Sequence, residues 1–334
     1  MNKKILMIGT GGTIASVPTE NGFRPEMEEN ALFERVPELS TICDADFMQV
    51  LNLDSTNIRP EHWLVLAETI YRNYDAYDGF VITHGTDTMA YTAAGLSYFI
   101  QNSPKPIVLT GAQKPLSVEN SDAGRNLIDA FRYACDDESM GVQIVFFGAV
   151  ITGTRARKNY AKSFMAFGSI NYPEIARIED GLIIRYIPQV RCGGPVFYLR
   201  ANTNVGLVKL VPGMQNDVMR FLLSKYDGLV IESFGVGGLP EYSDFYEQIR
   251  AAIDKGKTIV MTTQVPNEGS DISVYQVGNV LKKNSRVLEA YDMTSEATFA
   301  KLMWILGQTQ SYPEIVKLFY TPVGNDILKY AEHR

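Results

Sequence analysis

A chain of 334 residues, 46% hydrophobic and 21% charged, has ordinary globular composition and is long for a single core, so two folded domains are expected. A formal net charge of −7 leaves no basic footprint for a nucleic-acid backbone or an anionic membrane surface, and neither is expected as a partner. The cysteines, Cys43, Cys135 and Cys192, are odd in number without a CxxC spacing, and the histidines form no HExxH; reduced thiols and no zinc site are the expectation.

The chain opens MNKKILMIGTGG. Glycines interrupt its apolar run long before a signal-peptide core or a membrane span is reached, so it reads as a first strand at 5–8 and the protein as cytoplasmic. Further short apolar runs at 79–83, 106–110 and 142–147 have the character of strands covered on both faces. Helical spacing falls between them. Pro60 stands where a helix start tolerates proline, with Trp63, Leu64, Ala67, Ile70 and Tyr71 as the apolar side. A helix over 90–100 follows the second strand. Another starts from Ser121 as N-cap, with Leu127, Ile128, Phe131 and Ala134 as its stripe. Residues 181–200, broken by GGP at 193–195, read as a hairpin and a linker. Alternation restarts with strands at 205–210, 228–232 and 258–262 and helices at 243–254 and 295–306. The expected fold is α/β: a larger N-terminal, doubly wound, mostly parallel sheet domain (1–190), a linker (191–204) and a smaller C-terminal α/β domain (205–334).

Glycine and hydroxyl residues gather just after the strand ends, at 9–16, 84–88, 111–113 and 233–238, where open α/β sheets bind ligands. In GTGGTIAS (9–16) the third fingerprint position is Ile14, too bulky for the close helix–sheet packing of a dinucleotide site, and no glycine-lysine pair completes a P-loop. No cofactor is expected. What remains is a glycine turn presenting backbone N–H groups and the Thr13 hydroxyl, donors for an oxyanion and a nucleophile for a carbonyl; the structural alternative is that Thr13 bonds its own turn. HGTDTM (84–89) adds Thr86 and Asp87 at another strand end, where Asp87 or Thr88 also suits a helix cap. With no GxSxG elbow, His84 has no serine to activate.

TGGTIAS (10–16) and HGTDTMAYTA (84–93) together resemble the two signature regions of the bacterial-type L-asparaginases, a family of amidohydrolases. The resemblance runs on through LDSTNI (53–58), TGAQKP (110–115), Lys158 in TRARK, SFGVGG (233–238) and DMTSEATFAKLMWILGQ (292–308), nearly the whole chain, and the last block is similar to the cytoplasmic, type I subgroup. It implies hydrolysis of L-asparagine to L-aspartate and ammonia, with glutamine a poorer substrate. It implies Thr13 as the nucleophile of an acyl-enzyme ester, and Thr86, Asp87 and Lys158 as a second catalytic group whose lysine and aspartate polarise the threonine hydroxyl. Asp54, Ser55 and Thr56 match the binding segment for the substrate's amino-acid end. Ala112 matches a position whose main-chain carbonyl takes the leaving amide. Glu296 matches a residue lent across a dimer interface to the α-ammonium, and a homodimer or homotetramer is implied with it.

Spacing alone reads these residues more plainly: Lys158 as a solvated cation of the basic run 155–158, residues 54–56 as a turn before Pro60, and Glu296 as an early helix acid behind a Thr294 or Ser295 cap. One position departs from the family pattern. Phe23 stands in the lid loop, 17–28, where many members carry tyrosine; phenylalanine can close a site and exclude water but cannot pass a proton, which shifts that burden toward Lys158. Two other readings stay open: a two-domain sensor that binds an amino acid without turnover, and the amidase subunit of a tRNA-dependent amidotransferase. That subunit carries an extra N-terminal domain, whereas this first strand begins at about residue 4.

Overall fold

The structure is a computed structural model that describes residues 2–12, 14, 16–19, 22–25, 35–190, 193–240, 242–274 and 286–328, with the backbone alone at 16–19 and 22–25. The chain divides into two compact units, Met1–Leu199 and Arg200–Arg334.

In the first unit the strands are β1 (Lys4–Gly11), β2 (Ser16–Thr19), β3 (Gly22–Pro25), β4 (Asp44–Leu53), β5 (Gly79–Thr83), β6 (Ile100–Gln101), β7 (Pro106–Thr110), β8 (Gly141–Phe146), β9 (Ala149–Thr152), β10 (Ala156–Lys158), β11 (Phe167–Ser169), β12 (Ala176–Glu179), β13 (Leu182–Arg185) and β14 (Val196–Phe197). The helices are α1 (Leu39–Ile42), α2 (Pro60–Asn73), α3 (Met89–Phe99) and α4 (Ala123–Cys135). Eight strands form one sheet in the order β13-β12-β9-β8-β7-β5-β1-β4. From β4 to β8 it is parallel; β9, β12 and β13 extend it antiparallel.

The apolar runs sit in the middle of this sheet because they are covered from both sides. Ile5, Met7, Val81 and Val108 form one buried cluster with Leu127, Ala130 and Phe131 of α4. Strand alternation turns Leu6, Ile8, Phe80 and Ile82, equally buried, to the opposite face. Each such side chain contributes roughly 1.5–3 kcal/mol on burial.

Several local expectations are corrected. The buried stripe of α2 is Trp63, Leu66, Ala67 and Ile70; Tyr71 is 54% exposed, because 3.6-residue periodicity from Trp63 selects 66 rather than 64. The N-cap of α4 is Asp122, not Ser121: the Ser121 hydroxyl accepts from Ala123 N and donates to the Lys114 carbonyl. The hairpin expected at 181–200 begins earlier. β12 and β13 turn at Asp180-Gly181, both with positive φ. β4 was not expected at all. It lies at the sheet edge with only shallow burial, so it carries no continuous apolar run.

The second unit is a four-stranded parallel sheet, β15 (Val205–Lys209), β16 (Gly228–Ser233), β17 (Thr258–Thr263) and β18 (Leu288–Glu289), in sequential order. α5 (Asn216–Lys225) and α6 (Phe245–Asp254) pack Met219, Leu223, Phe245 and Ile249 against Leu229, Ile231, Ile259 and Met261. α7 (Ser295–Gln308) lies against β15 and β16 and is followed by α8 (Tyr312–Tyr320). Its start is set by Thr294, whose hydroxyl oxygen accepts from Ala297 N at 3.0 Å, satisfying one orphan donor of the first turn.

Candidate active site

Register aligns the strand ends that carry the suspect loops. Gly9 of β1 stands beside Thr83 of β5, which stands beside Thr110 of β7, so three loops leave the sheet at the same carboxyl edge. The Thr10 hydroxyl donates to the Thr83 carbonyl at 2.8 Å, and the Thr110 hydroxyl to the Val145 carbonyl at 2.8 Å. Beyond the edge the loops approach closely, the turn at Gly12 against the Gly85 backbone and Gly85 against the Ser55 side chain. A Cβ on Gly12, whose φ is +80°, would lie 2.5 Å from Gly85 N, and one on Gly85 would lie 2.5 Å from Ser55 Oγ. No side chain fits at either position. Glycine there is what brings the loop after β1 onto the loop after β5, and that onto the loop after β4.

On this floor stand three groups in direct contact. Lys158, the last residue of β10, extends its Nζ to Thr86 Oγ1 at 2.8 Å and to Asp87 Oδ1 at 2.6 Å. Thr86 is buried and the Lys158 side chain is 17% exposed, while the Asp87 carboxylate is 56% exposed. The solvated-cation alternative for Lys158 is thus not what the structure adopts. Thr88 donates its hydroxyl to the Ser55 carbonyl at 2.8 Å instead of capping α3, where no side-chain cap bond forms.

A polar scaffold behind the site was not anticipated. Asp122 accepts from Gln113 N at 3.1 and 3.0 Å and from Lys114 N at 2.9 Å. Asn126 donates to the Gly111 carbonyl at 2.9 Å and to Asp122 at 3.1 Å, and accepts from Phe147 N at 2.9 Å. The loop after β7 is therefore clamped by the first turn of α4. Gln113 then reaches Thr86, at 3.2 Å from Oγ1. The available signal was TGAQKP itself, a polar side chain in a strand-end loop.

His84 is fully buried. Its Nδ1 faces the Gly85 carbonyl at 2.7 Å, an acceptor only, so Nδ1 carries the proton and Nε2 accepts from the Thr92 hydroxyl at 2.9 Å. Burial holds its pKa down to about 4, leaving a neutral ring that braces the turn before Thr86.

The structure therefore brings Thr86, Asp87 and Lys158 together and packs Ser55 and Gly12 against the same turn. Asp54 Oδ1 accepts from Thr56 N and from the Thr56 hydroxyl, at 2.8 and 2.7 Å, closing a turn that presents Ser55. Ala112 is buried in the loop after β7, leaving only its main chain for chemistry. Glu296 belongs to the other unit, buried in the first turn of α7. Thr13 lies outside the described residues, as do positions 20–21 and 26–28 of the expected lid; Phe23 pairs with Pro18 across the β2–β3 hairpin, and its side chain is not described. Cys43 and Cys135 are free thiols; Cys192 lies outside the described residues.

Residues 4–190 match the family model "Asparaginase, N-terminal", and residues 204–319 match "Glutaminase/Asparaginase C-terminal domain". The chain is 39% identical over 329 residues to an L-asparaginase of Thermococcus kodakarensis, covering 97% of this chain and 99% of that one. It is also 37% identical over 343 residues to a glutamyl-tRNA(Gln) amidotransferase subunit of Pyrococcus furiosus, covering 98% of this chain and 77% of that one. The solved structure of the thermostable Thermococcus kodakarensis L-asparaginase superimposes with a TM-score of 0.90 at 37% identity, over 98% of this chain and 100% of that one. That of a probable cytoplasmic L-asparaginase from Campylobacter jejuni gives 0.82 at 25% identity, over 95% and 99%.

Proposed function

The chain belongs to the asparaginase family, and from that premise we propose that it hydrolyses L-asparagine to L-aspartate and ammonia, with glutamine a poorer substrate. The observation that carries the reading is the contact of Lys158 Nζ with both Thr86 Oγ1 and Asp87 Oδ1. An ammonium beside a hydroxyl oxygen favours negative charge developing on it, and a carboxylate holds the ammonium in place.

Thr13 is the nucleophile. Support comes from its neighbour: Gly12 touches Gly85, one residue before Thr86, so the two hydroxyl-bearing turns adjoin. Attack of the Thr13 oxygen on the side-chain carbonyl carbon forms a C–O bond and breaks the C–N bond. The nitrogen leaves as ammonia with the hydroxyl's proton; water then cleaves the ester, returning the hydroxyl and releasing the carboxylic acid, which ionises. Thr86, Asp87 and Lys158 form the second group, acting on the proton transfers of both steps. The turn Asp54–Ser55–Thr56 takes the substrate's amino-acid end, the exposed Asp87 carboxylate attracts the α-ammonium, and the Ala112 carbonyl accepts from the leaving amide. Glu296, supplied by a second copy in a homodimer or homotetramer, completes the α-ammonium site, and Phe23 lies in the loop that excludes water. Residues 1–190 form the catalytic domain, 191–204 the linker and 205–334 the second domain. A cytoplasmic location accords with the Campylobacter jejuni relative; among the described residues no helix is long and apolar enough to cross a membrane.

The identity to the Pyrococcus furiosus amidotransferase subunit sustains a second reading, an amidase that serves a tRNA-dependent amidotransferase. Ammonia release from asparagine, from glutamine and without substrate decides between them. The expected result is release by the chain alone, faster from asparagine than from glutamine, and a loss of more than about 10³-fold in Thr13→Ala at unchanged thermal midpoint. A folded wild-type chain that binds asparagine yet releases no ammonia at any pH would overturn the proposal in favour of a sensor. Release only in the presence of a partner protein and charged tRNA would favour the amidotransferase.

A further inference from the structure

Hydrogen-bond directions around Thr86 can be assigned without ambiguity. Lys158 Nζ has protons and no lone pair, so at 2.8 Å it donates to Thr86 Oγ1. The single Thr86 proton is then left for Gln113 Oε1, 3.2 Å away. The orientation of the Gln113 amide is fixed independently: its Nε2 lies 3.0 Å from the Ser163 carbonyl and 3.3 Å from the Ala161 carbonyl, and two carbonyl oxygens can only accept. A flipped amide would set oxygen against both. The main chain of Gln113 is held in turn by the Asp122 carboxylate on its N–H.

We propose that Gln113 is a positioning residue for the reaction, the acceptor that draws the Thr86 proton to one side and leaves the remaining lone pair of Thr86 to accept from the substrate amide or the attacking water. Without that acceptor the hydroxyl rotates freely about its C–O bond, and its proton competes for the same place as the incoming donor. Gln113 also joins the loop after β7 to residues 161–163, three to five positions beyond Lys158 at the end of β10. One side chain thereby sets both the direction of the Thr86 proton and the seat of the lysine that polarises it. The inference rests on the assignment of Thr86 and Lys158 to the chemistry above.

Two variants test it. Gln113→Met keeps length and removes acceptor and donors alike: kcat for asparagine is expected to fall about 10-fold while KM changes less than 2-fold, with the thermal midpoint within about 3 °C of wild type. Gln113→Glu sets a carboxyl group against Ala161 O and Ser163 O in front, with Lys158 and Asp87 across Thr86, Lys114 beside it and Asp122 behind its main chain. Protonated, that group reproduces the amide, donating its O–H to a carbonyl and accepting from Thr86; ionised, it can no longer donate and is drawn to Lys158. Its kcat relative to wild type is therefore expected to rise toward one as pH falls and to drop as the carboxyl ionises, a limb absent from the wild-type ratio. A wild-type kcat in folded Gln113→Met, or a Gln113→Glu deficit independent of pH, would overturn the proposal; if Gln113→Met does not fold, the Gln113→Glu profile alone decides. Lys158→Met serves as the control. If it is fully active, the underlying assignment fails whatever Gln113 does, whereas an inactive Lys158→Met beside a fully active Gln113→Met removes the Gln113 role alone.

Discussion

Lys158 meets Asp87, and Lys301 meets Asp326, at the same separation of 2.6 Å, yet the surroundings differ in every other respect. Lys301 and Asp326 are both 0% exposed. The Lys301 ammonium also donates to the Thr321 carbonyl at 3.0 Å and stands 5.6 Å from the Phe319 ring centre. Burial pulls its pKa down and Asp326 pushes it back. Asp326 in turn accepts from Val323 N at 2.9 Å, so the pair ties the middle of α7 to the chain beyond α8. Lys158 instead spends a proton on a threonine hydroxyl, and its aspartate opens to solvent. Charge and distance are thus shared between the two pairs; what separates them is a third partner, the Thr86 hydroxyl, and a carboxylate open to solvent.

Removing the ammonium from each pair should produce opposite phenotypes. Lys158→Met is expected to lower kcat for asparagine by roughly 10⁴-fold, about 5 kcal/mol of barrier, while its urea midpoint stays near that of wild type. The partly exposed pair contributes little to stability because water screens it. A folded Lys158→Met with activity within 10-fold of wild type would erase the distinction.

Lys301→Met should act the other way. It leaves the Asp326 carboxylate buried without its cation, at a cost of about 4 kcal/mol in unfolding free energy, with kcat per folded molecule unchanged at low temperature. Adding Asp326→Leu should recover most of that loss, since the charge that needed the lysine is gone. Denaturant titrations of the single and double variants check both points. A single variant as stable as wild type would show that the pair fastens nothing.

The sequence prepares a reader unevenly for these two sites. Glycines and hydroxyls after apolar runs mark the strand-end loops, because close backbone approach and a parallel sheet need those residue types in those places. Lys158 is invisible to that logic: it sits in the basic run 155–158, and the threonine it contacts, Thr86, lies 72 positions away in sequence. Gln113 is hidden for a related reason, since its amide donates to carbonyls 48 and 50 positions later. Lys301 falls in a helix readable from its apolar spacing and its Thr294 cap, but its partner lies 25 residues on, so no local pattern announces a buried charge. β4 escapes because an edge strand needs little apolar surface. Local chemistry is legible; pairings made by tertiary contact are not.

His84 sharpens the comparison by supplying a buried basic group that, among the described residues, has no carboxylate partner. With the Gly85 carbonyl and the Thr92 hydroxyl as neighbours, burial disfavours a positive charge on the ring, and its pKa is held to about 4, below the ordinary value of about 6.5. A depressed histidine pKa means that the unfolded chain binds the proton first as pH falls. The contribution to stability is complete above pH 6.5, declines from 6.5 to 4 and is exhausted below 4, amounting to roughly 3 kcal/mol in all. Unfolding free energies measured at pH 7 and pH 4.5 should therefore differ by about 2.5 kcal/mol less in His84→Asn than in wild type, all other titrating groups being common to the two proteins. An equal pH dependence in both would mean that His84 takes up its proton inside the fold, and that a buried base here needs no carboxylate to hold its charge.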